Sequence, residues 1–175
     1  PDTLFPLQAA LGYDVTQTLF IGKHTLLVEG PGDILFLKAL SAQLKRRRRT
    51  ELDRRWTICP AGGLDKIQSF VSLFKGANLH LAVMSDRAQG DKRKLEQLRA
   101  AGAIPECRIM NYPDVLGLPQ GDVEDIFDPE TYLGIVNGAF ELKGRSSLTL
   151  AKLDKEAPGP GRLVKRMETL FRVLP

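Results

Sequence analysis

Acidic side chains that could bind a metal ion follow two apolar segments of this chain. Glu29 comes directly after the apolar residues 25–28, and Asp33 lies four positions further on, beyond a Gly-Pro-Gly turn. Asp86 follows a second apolar run, residues 79–84. If both runs are strands that end at one edge of a sheet, their acids gather at that edge. Carboxylate oxygens are ligands that Mg²⁺ prefers, so this pattern indicates a divalent-cation site.

A third acidic group, made of Asp122, Glu124 and Asp125, lies in a different local context. The spacing of Asp122 and Glu124 places both carboxylates on one side of an extended or turn segment, whereas Asp125 points elsewhere. A solvated helix start is the alternative interpretation of this group. Five carboxylates from separate loops would suit two cations about 4 Å apart, which can activate water for attack on a phosphodiester.

Alternating strand and helix patterns would position these acids. Predicted strands span residues 25–28, 56–59, 79–84 and 107–110. Apolar periodicity predicts helices near residues 34–44 and 64–74, and a charged helix begins near Asp91. Two further helices are predicted at residues 129–142 and near 163–171. Strands that alternate with helices are typical of βαβ units, so the pattern predicts an α/β fold with a mainly parallel central sheet.

Composition limits the class of protein. The 175 residues, 43% of them apolar, are enough for one well-packed core. The net charge of +4 is compatible with a polyanionic partner but is too small to identify one. The two cysteines, Cys59 and Cys107, lack zinc-ligand spacing, and no apolar run approaches the roughly 20 residues that span a bilayer. We therefore expect a cytoplasmic protein with no membrane partner.

Taken together, these residues resemble the TOPRIM domain, most closely the version found in the overcoming-lysogenization-defect (OLD) family of nucleases. The first motif is Leu-Val-Glu-Gly at 27–30, to which OLD-type members add a second acid, here Asp33. The second is Met-Ser-Asp at 84–86, and a later Asp-x-Glu corresponds to Asp122 and Glu124. Ala88 departs from the pattern, because TOPRIM domains usually have an aspartate there. This departure favours the OLD type over a topoisomerase.

The resemblance implies a division of the chain into three parts. Residues 23–128 would be the TOPRIM core, and residues 129–175 a C-terminal helical part of the same domain. Because the chain starts with Pro1 rather than Met, we expect it to be a fragment. Residues 1–22 would then be a linker or helix from an absent N-terminal ABC-type ATPase, and a homo-oligomer could form through that missing part.

The resemblance also implies DNA cleavage by two divalent ions, Mg²⁺ or Mn²⁺. The predicted metal ligands are Glu29, Asp33, Asp86, Asp122 and Glu124, with Glu29 and Asp86 also regarded as catalytic. The family uses a C-terminal lysine to stabilise the transition state. We assign that role to Lys165, with three rivals on nearby segments: Arg162, Lys155 and Lys152.

Two basic segments could contact the DNA backbone. Arg87, Lys92, Arg93 and Lys94 lie in or just after the Asp86 loop, so they are well placed to meet phosphates near the metals. The run Arg46–Arg49 could also bind phosphates, although a solvated helix end explains it equally well.

Other functions remain open alternatives. The chain could be a TOPRIM-derived DNA-binding or assembly module that does not cleave, a primase-like or topoisomerase-like TOPRIM domain, or a small phosphotransfer or phosphatase domain. Sensitivity to EDTA separates the first of these from a nuclease, because a two-metal nuclease must lose activity when its ions are removed.

Overall fold

Four strands form one sheet in the described part of this chain. The computed structural model describes residues 22–73, 79–86, 92–102, 104–105 and 108–173. The strands are β1 His24–Val28, β2 Trp56–Pro60, β3 His80–Ser85 and β4 Ile109–Asn111. Their order in the sheet is β2-β1-β3-β4, and β1 pairs in parallel with both β2 and β3. The predicted α/β fold with a parallel central sheet is confirmed.

Helices follow each of the strands. In chain order they are α1 Pro31–Arg46, α2 Leu64–Leu73, α3 Lys92–Ala100, α4 Tyr112–Leu116, α5 Pro129–Ala139, α6 Leu150–Glu156 and α7 Leu163–Val173. Short 3₁₀ turns span Val123–Ile126 and Gly144–Ser146. Helices α4 and α6 were not predicted from the sequence. Of the described helices, none has the length and apolar character needed to cross a membrane.

The predicted bounds of β4 and α5 differ from the observed ones by two or three residues. β4 begins at Ile109, two residues later than predicted, and Cys107 lies outside the described residues. Helix α5 ends at Ala139 because Glu141 adopts a left-handed conformation, with φ of 53°. The N–H of Leu142 then donates to the carbonyl of Asn137, 2.9 Å away, which closes the helix end.

Alternate residues of the central strands pack on opposite faces of the sheet. Leu27 and Val83 belong to one apolar cluster together with Ile67 of α2. Leu26 and Ala82 belong to a second cluster, which also contains Ile34 of α1 and Val28. Both faces are therefore covered, which explains why β1 and β3 are almost wholly apolar.

Leu27→Ala tests this core. Because Leu27 is fully buried, its truncation is expected to lower the free energy of unfolding by about 2–5 kcal/mol. Urea denaturation followed by circular dichroism would measure the change. Leu35→Ala is the control, since that leucine is 39% exposed and its loss should cost little. Equal stability of both variants would contradict the proposed core.

The described residues divide into two compact units. The first takes in described residues within 1–84 and 94–109, and the second those within 85–93 and 110–175. The second unit has its own apolar core, which includes Leu133, Leu153 and Leu170. The three-part division expected from the sequence stays a prediction.

Candidate metal centre

The junction between β1 and α1 holds the first two predicted ligands. Glu29 is half-buried and follows β1 directly; its carbonyl accepts hydrogen bonds from the N–H groups of Gly62 and Gly63, at 2.9 and 3.0 Å. Those glycines have φ of 82° and 114°, a backbone conformation that side chains disfavour. The glycine pair therefore fixes the backbone of Glu29.

Asp33 lies in the first turn of α1 and is only 5% exposed. The N–H of Gly30 donates to its Oδ2, at 2.9 Å. A carboxylate at this position also interacts favourably with the helix dipole. Asp33 thus has a structural role at the helix start, and its part in metal binding stays a prediction.

The end of β3 carries Ser85 and Asp86. Ser85 is fully buried, and its Oγ has no hydrogen-bond partner among the described residues. Asp86 is half-buried and lies within electrostatic reach of Arg162. Arg87 and Ala88 lie outside the described residues.

Asp122 is the most deeply buried of the predicted ligands, at 2% exposure. Its Oδ1 forms an ion pair with Nη2 of Arg162, which is itself 20% exposed. Its Oδ2 is buried and has no hydrogen-bond partner among the described residues. Burial raises the pKa of the Asp122 carboxyl, and the Arg162 guanidinium offsets part of that effect. Burial lowers the pKa of the Arg162 guanidinium. The hydrogen bond and the negative charge of Asp122 raise that pKa by more, so its net change is upward.

Asp125 holds this ion pair in place. Its Oδ2 accepts a hydrogen bond from the N–H of Asp122 at 2.8 Å, within the 3₁₀ turn. Its Oδ1 accepts from the N–H of Leu163 at 2.9 Å, at the first residue of α7. One carboxylate thereby joins the turn to the start of α7, and Arg162 lies directly before that helix. Asp125 therefore positions the two partners of the ion pair.

The predicted ligands fall in both compact units. Glu29 and Asp33 belong to the first, and Asp86, Asp122 and Glu124 to the second. Within the described ranges, no group of three or more His, Cys, Asp or Glu side chains is arranged to hold a metal ion. The complete five-carboxylate set stays a prediction.

Comparison with known proteins identifies the segment that carries Glu29, Asp33 and Asp86. Residues 20–87 match the family described as "Overcoming lysogenization defect protein-like, TOPRIM domain". This segment is an OLD-like TOPRIM domain. The resemblance seen in the sequence is thereby confirmed. No curated protein and no solved structure matches the chain significantly.

The basic residue in contact with a predicted ligand is Arg162 rather than Lys165. Lys165 is 59% exposed, and its Nζ pairs with Oε2 of Glu168 at 2.9 Å, although it also exerts a weak electrostatic effect on Asp122. Of its other rivals, Lys155 pairs with the neighbouring Glu156 at 3.0 Å.

Lys152 serves the fold of the C-terminal region. Its Nζ donates to the carbonyls of Arg145 and Ser147, at 2.7 and 2.8 Å. This ammonium group therefore holds the loop before α6. Among the three rivals of Lys165, Arg162 is the one that the structure brings next to an acid of the OLD-like pattern.

The four predicted DNA-binding residues in and after the Asp86 loop differ in their surroundings. Lys94 pairs with Asp65 of α2, with 2.9 Å between Nζ and Oδ2. Arg93 is exposed on α3. Lys92 begins that helix, and its side chain is outside the described part, as is all of Arg87. Their role in DNA binding stays a prediction.

Tyr132 of α5 is a neighbour of the acidic turn that sequence reasoning missed. Burial raises the pKa of its phenol, and the negative charges of Glu124, Asp125 and Asp122 add to that effect. Only its position seven to ten residues after the acids hinted at this proximity.

Proposed function

We propose that this chain is the metal-dependent endonuclease domain of an OLD-family protein, which cleaves DNA phosphodiester bonds with two divalent ions. The observation that carries the proposal is the placement of acids in an OLD-like TOPRIM domain: Glu29 follows β1, and Asp86 follows the adjacent parallel strand β3. Ligands of open α/β sheets bind beyond the carboxyl ends of the strands.

The chemistry of these side chains fits Mg²⁺ or Mn²⁺. All five proposed ligands offer carboxylate oxygens, the donors that such hard cations prefer. The buried Oδ2 of Asp122 supports this fit, because a buried carboxylate oxygen without a hydrogen bond is costly unless a cation or water satisfies it. We therefore propose that Glu29, Asp33, Asp86, Asp122 and Glu124 hold the ions.

When bound, two such ions would supply an activated water and neutralise charge on the scissile phosphate. The chain's own contribution is to hold the carboxylates in place: the glycine pair after β2 fixes the backbone of Glu29, and Asp125 fixes the turn that carries Asp122 and Glu124. We retain Lys165 as the proposed transition-state stabiliser and assign Arg162 the role of positioning Asp122. DNA and an N-terminal ABC-type ATPase of the same protein are the proposed partners.

One observation favours a second candidate, a TOPRIM-derived module that binds DNA without cleaving it. Arg162 already forms an ion pair with Oδ1 of Asp122, so the charge of this carboxylate is compensated without a metal ion. Such a module would bind DNA equally well in EDTA and would leave plasmid uncut in any divalent metal.

Metal dependence tests the proposed function. Incubated with supercoiled plasmid, the purified chain is expected to produce nicked or linear DNA in Mg²⁺ or Mn²⁺ and no product in EDTA, because the ions generate the nucleophile. Agarose gel electrophoresis measures the conversion. Undiminished cutting in EDTA would refute a metal-dependent mechanism. Intact plasmid in both metals, with DNA binding retained, would favour the non-cleaving module.

A further inference from the structure

The C-terminal end of α1 carries a concentrated positive charge that the proposed active site does not use. Eight exposed basic residues lie between the middle of α1 and the start of β2, and we call them the basic surface: Lys38, Lys45, Arg46, Arg47, Arg48, Arg49, Arg54 and Arg55. The same segment contains two acids, Glu51 and Asp53. This local surplus of positive charge exceeds the net charge of +4 of the whole chain.

The two acids neutralise only part of this surface. Glu51 pairs with Lys45 at 3.1 Å and lies 3.9 Å from Arg54, while Asp53 pairs with Arg55 at 2.6 Å. Within the described part of the chain, Lys38 and the four arginines at 46–49 have no ion-pair partner. They are therefore available to a polyanion.

The arginines at 46–49 have two possible explanations, a ligand outside the chain or a structural role at the end of α1. The backbone at Arg48 bears on the choice between them. Its N–H donates to the carbonyl of Lys45 at 2.9 Å, and the N–H of Arg49 donates to the carbonyl of Leu44 at 2.9 Å. This pair of bonds closes α1 as a Schellman motif, in which the left-handed residue is usually glycine. Here that residue is Arg48, with φ of 55°, a conformation that strains an L-residue with a side chain.

Favourable interaction with the helix dipole does not explain why position 48 is an arginine and not a glycine. Lys45 and Arg46 already place positive charge in the last turn of α1. An arginine at position 48 adds strain that glycine would avoid, and its side chain makes no ion pair with the described residues. Among the described residues, no ion pair of the Arg48 side chain offsets this strain, so its charge is available together with those of Arg46, Arg47 and Arg49.

We propose that the basic surface binds the phosphate backbone of duplex DNA at a position remote from the cleavage chemistry. The choice of DNA as the polyanion rests on the proposed function. Most of this surface lies at the opposite end of α1 from Asp33, and the 13 residue steps from Asp33 to Arg46 make that distance about 20 Å. A groove of about 660 Å³ beside it, lined by Lys38, Lys45 and Trp56 among others, continues the surface toward β2. DNA bound at the arginine run would be anchored about six base pairs from Asp33, at ~3.4 Å per base pair.

Arg48→Gly and Glu141→Gly form a matched pair of test variants. Glu141 occupies the equivalent left-handed position at the end of α5, with φ of 53°. Both changes relieve the same strain, so both are expected to raise Tm by about 2–4 °C. Arg48→Gly alone is expected to weaken binding to a short fluorescent duplex, and to reduce the slope of log K against log salt by about 0.9.

A combined variant enlarges the effect. Arg46→Gln, Arg47→Gln and Arg49→Gln, added to Arg48→Gly, are expected to weaken binding by about tenfold or more and to reduce the salt slope by about 3.6. Fluorescence anisotropy in EDTA measures both quantities. Equal binding and an equal slope for the original chain and the combined variant would overturn the inference. If the variant instead loses binding to vesicles of anionic phospholipid and retains duplex binding, the surface belongs to a membrane and the proposal fails.

Because binding is measured in EDTA, this test is independent of cleavage. Arginine-dependent binding by a chain that never cuts plasmid would refute only the proposed nuclease function. Metal-dependent cutting, together with DNA binding that does not depend on the arginines, would refute only the proposal that the basic surface binds DNA.

Discussion

Replacing Glu29 by glutamine is expected to reduce the rate of plasmid cleavage by about two to three orders of magnitude, with the fold retained. Glutamine has nearly the shape of glutamate but lacks its charge, so it binds a divalent cation far more weakly. The backbone of Glu29 is fixed by hydrogen bonds from Gly62 and Gly63, which the substitution does not touch. The expected loss therefore reports on the carboxylate alone.

Asp86→Asn is expected to have an effect of similar size, because Asp86 follows the strand adjacent to β1. Initial rates of nicking in Mg²⁺ and Mn²⁺ would measure both losses, and circular dichroism would verify the fold. Glu96→Gln, an exposed change on α3, is the matched control and should cut at the original rate. Cutting by both site variants at the rate of the control would refute the assignment of these acids.

Arg162→Ala is expected to lower the free energy of unfolding by on the order of 3 kcal/mol. The change leaves the carboxylate of Asp122 buried at 2% exposure without its cation, and the desolvation of an unpaired charge is expensive. Urea denaturation in EDTA would measure the loss. In the original chain, Arg162 compensates this buried charge when no metal is present.

Two further variants complete this test. Lys165→Ala removes a lysine that is 59% exposed and forms a surface pair with Glu168, so its stability should differ little from that of the original chain. Asp122→Asn combined with Arg162→Ala should be more stable than Arg162→Ala alone, because the unpaired charge is gone. If Arg162→Ala denatures at the same urea concentration as the original chain, the ion pair does not stabilise the second unit.

The local pattern of the sequence predicted most of the sheet. β1 and β3 are covered on both faces and therefore apolar at most positions, and both were placed within a residue or two. β4 has three residues, too few for a strong pattern, and its predicted position was off by two residues at the start. Helices α4 and α6, of five and seven residues, are too short for apolar periodicity to indicate them.

The sequence alone determined which acids follow β1 and β3 and which family motif they match. Short motifs at strand ends can be recognised in this way because they consist of residues within a few positions of one another. Only the tertiary structure revealed the ion pair of Asp122 with Arg162 and the bridge from Asp125 to Leu163, which joins residues 38 positions apart. It also placed Arg48 in a conformation normally taken by glycine. The physical reason is that desolvation, ion pairing and helix closure depend on which groups pack together, and chain spacing does not fix that packing.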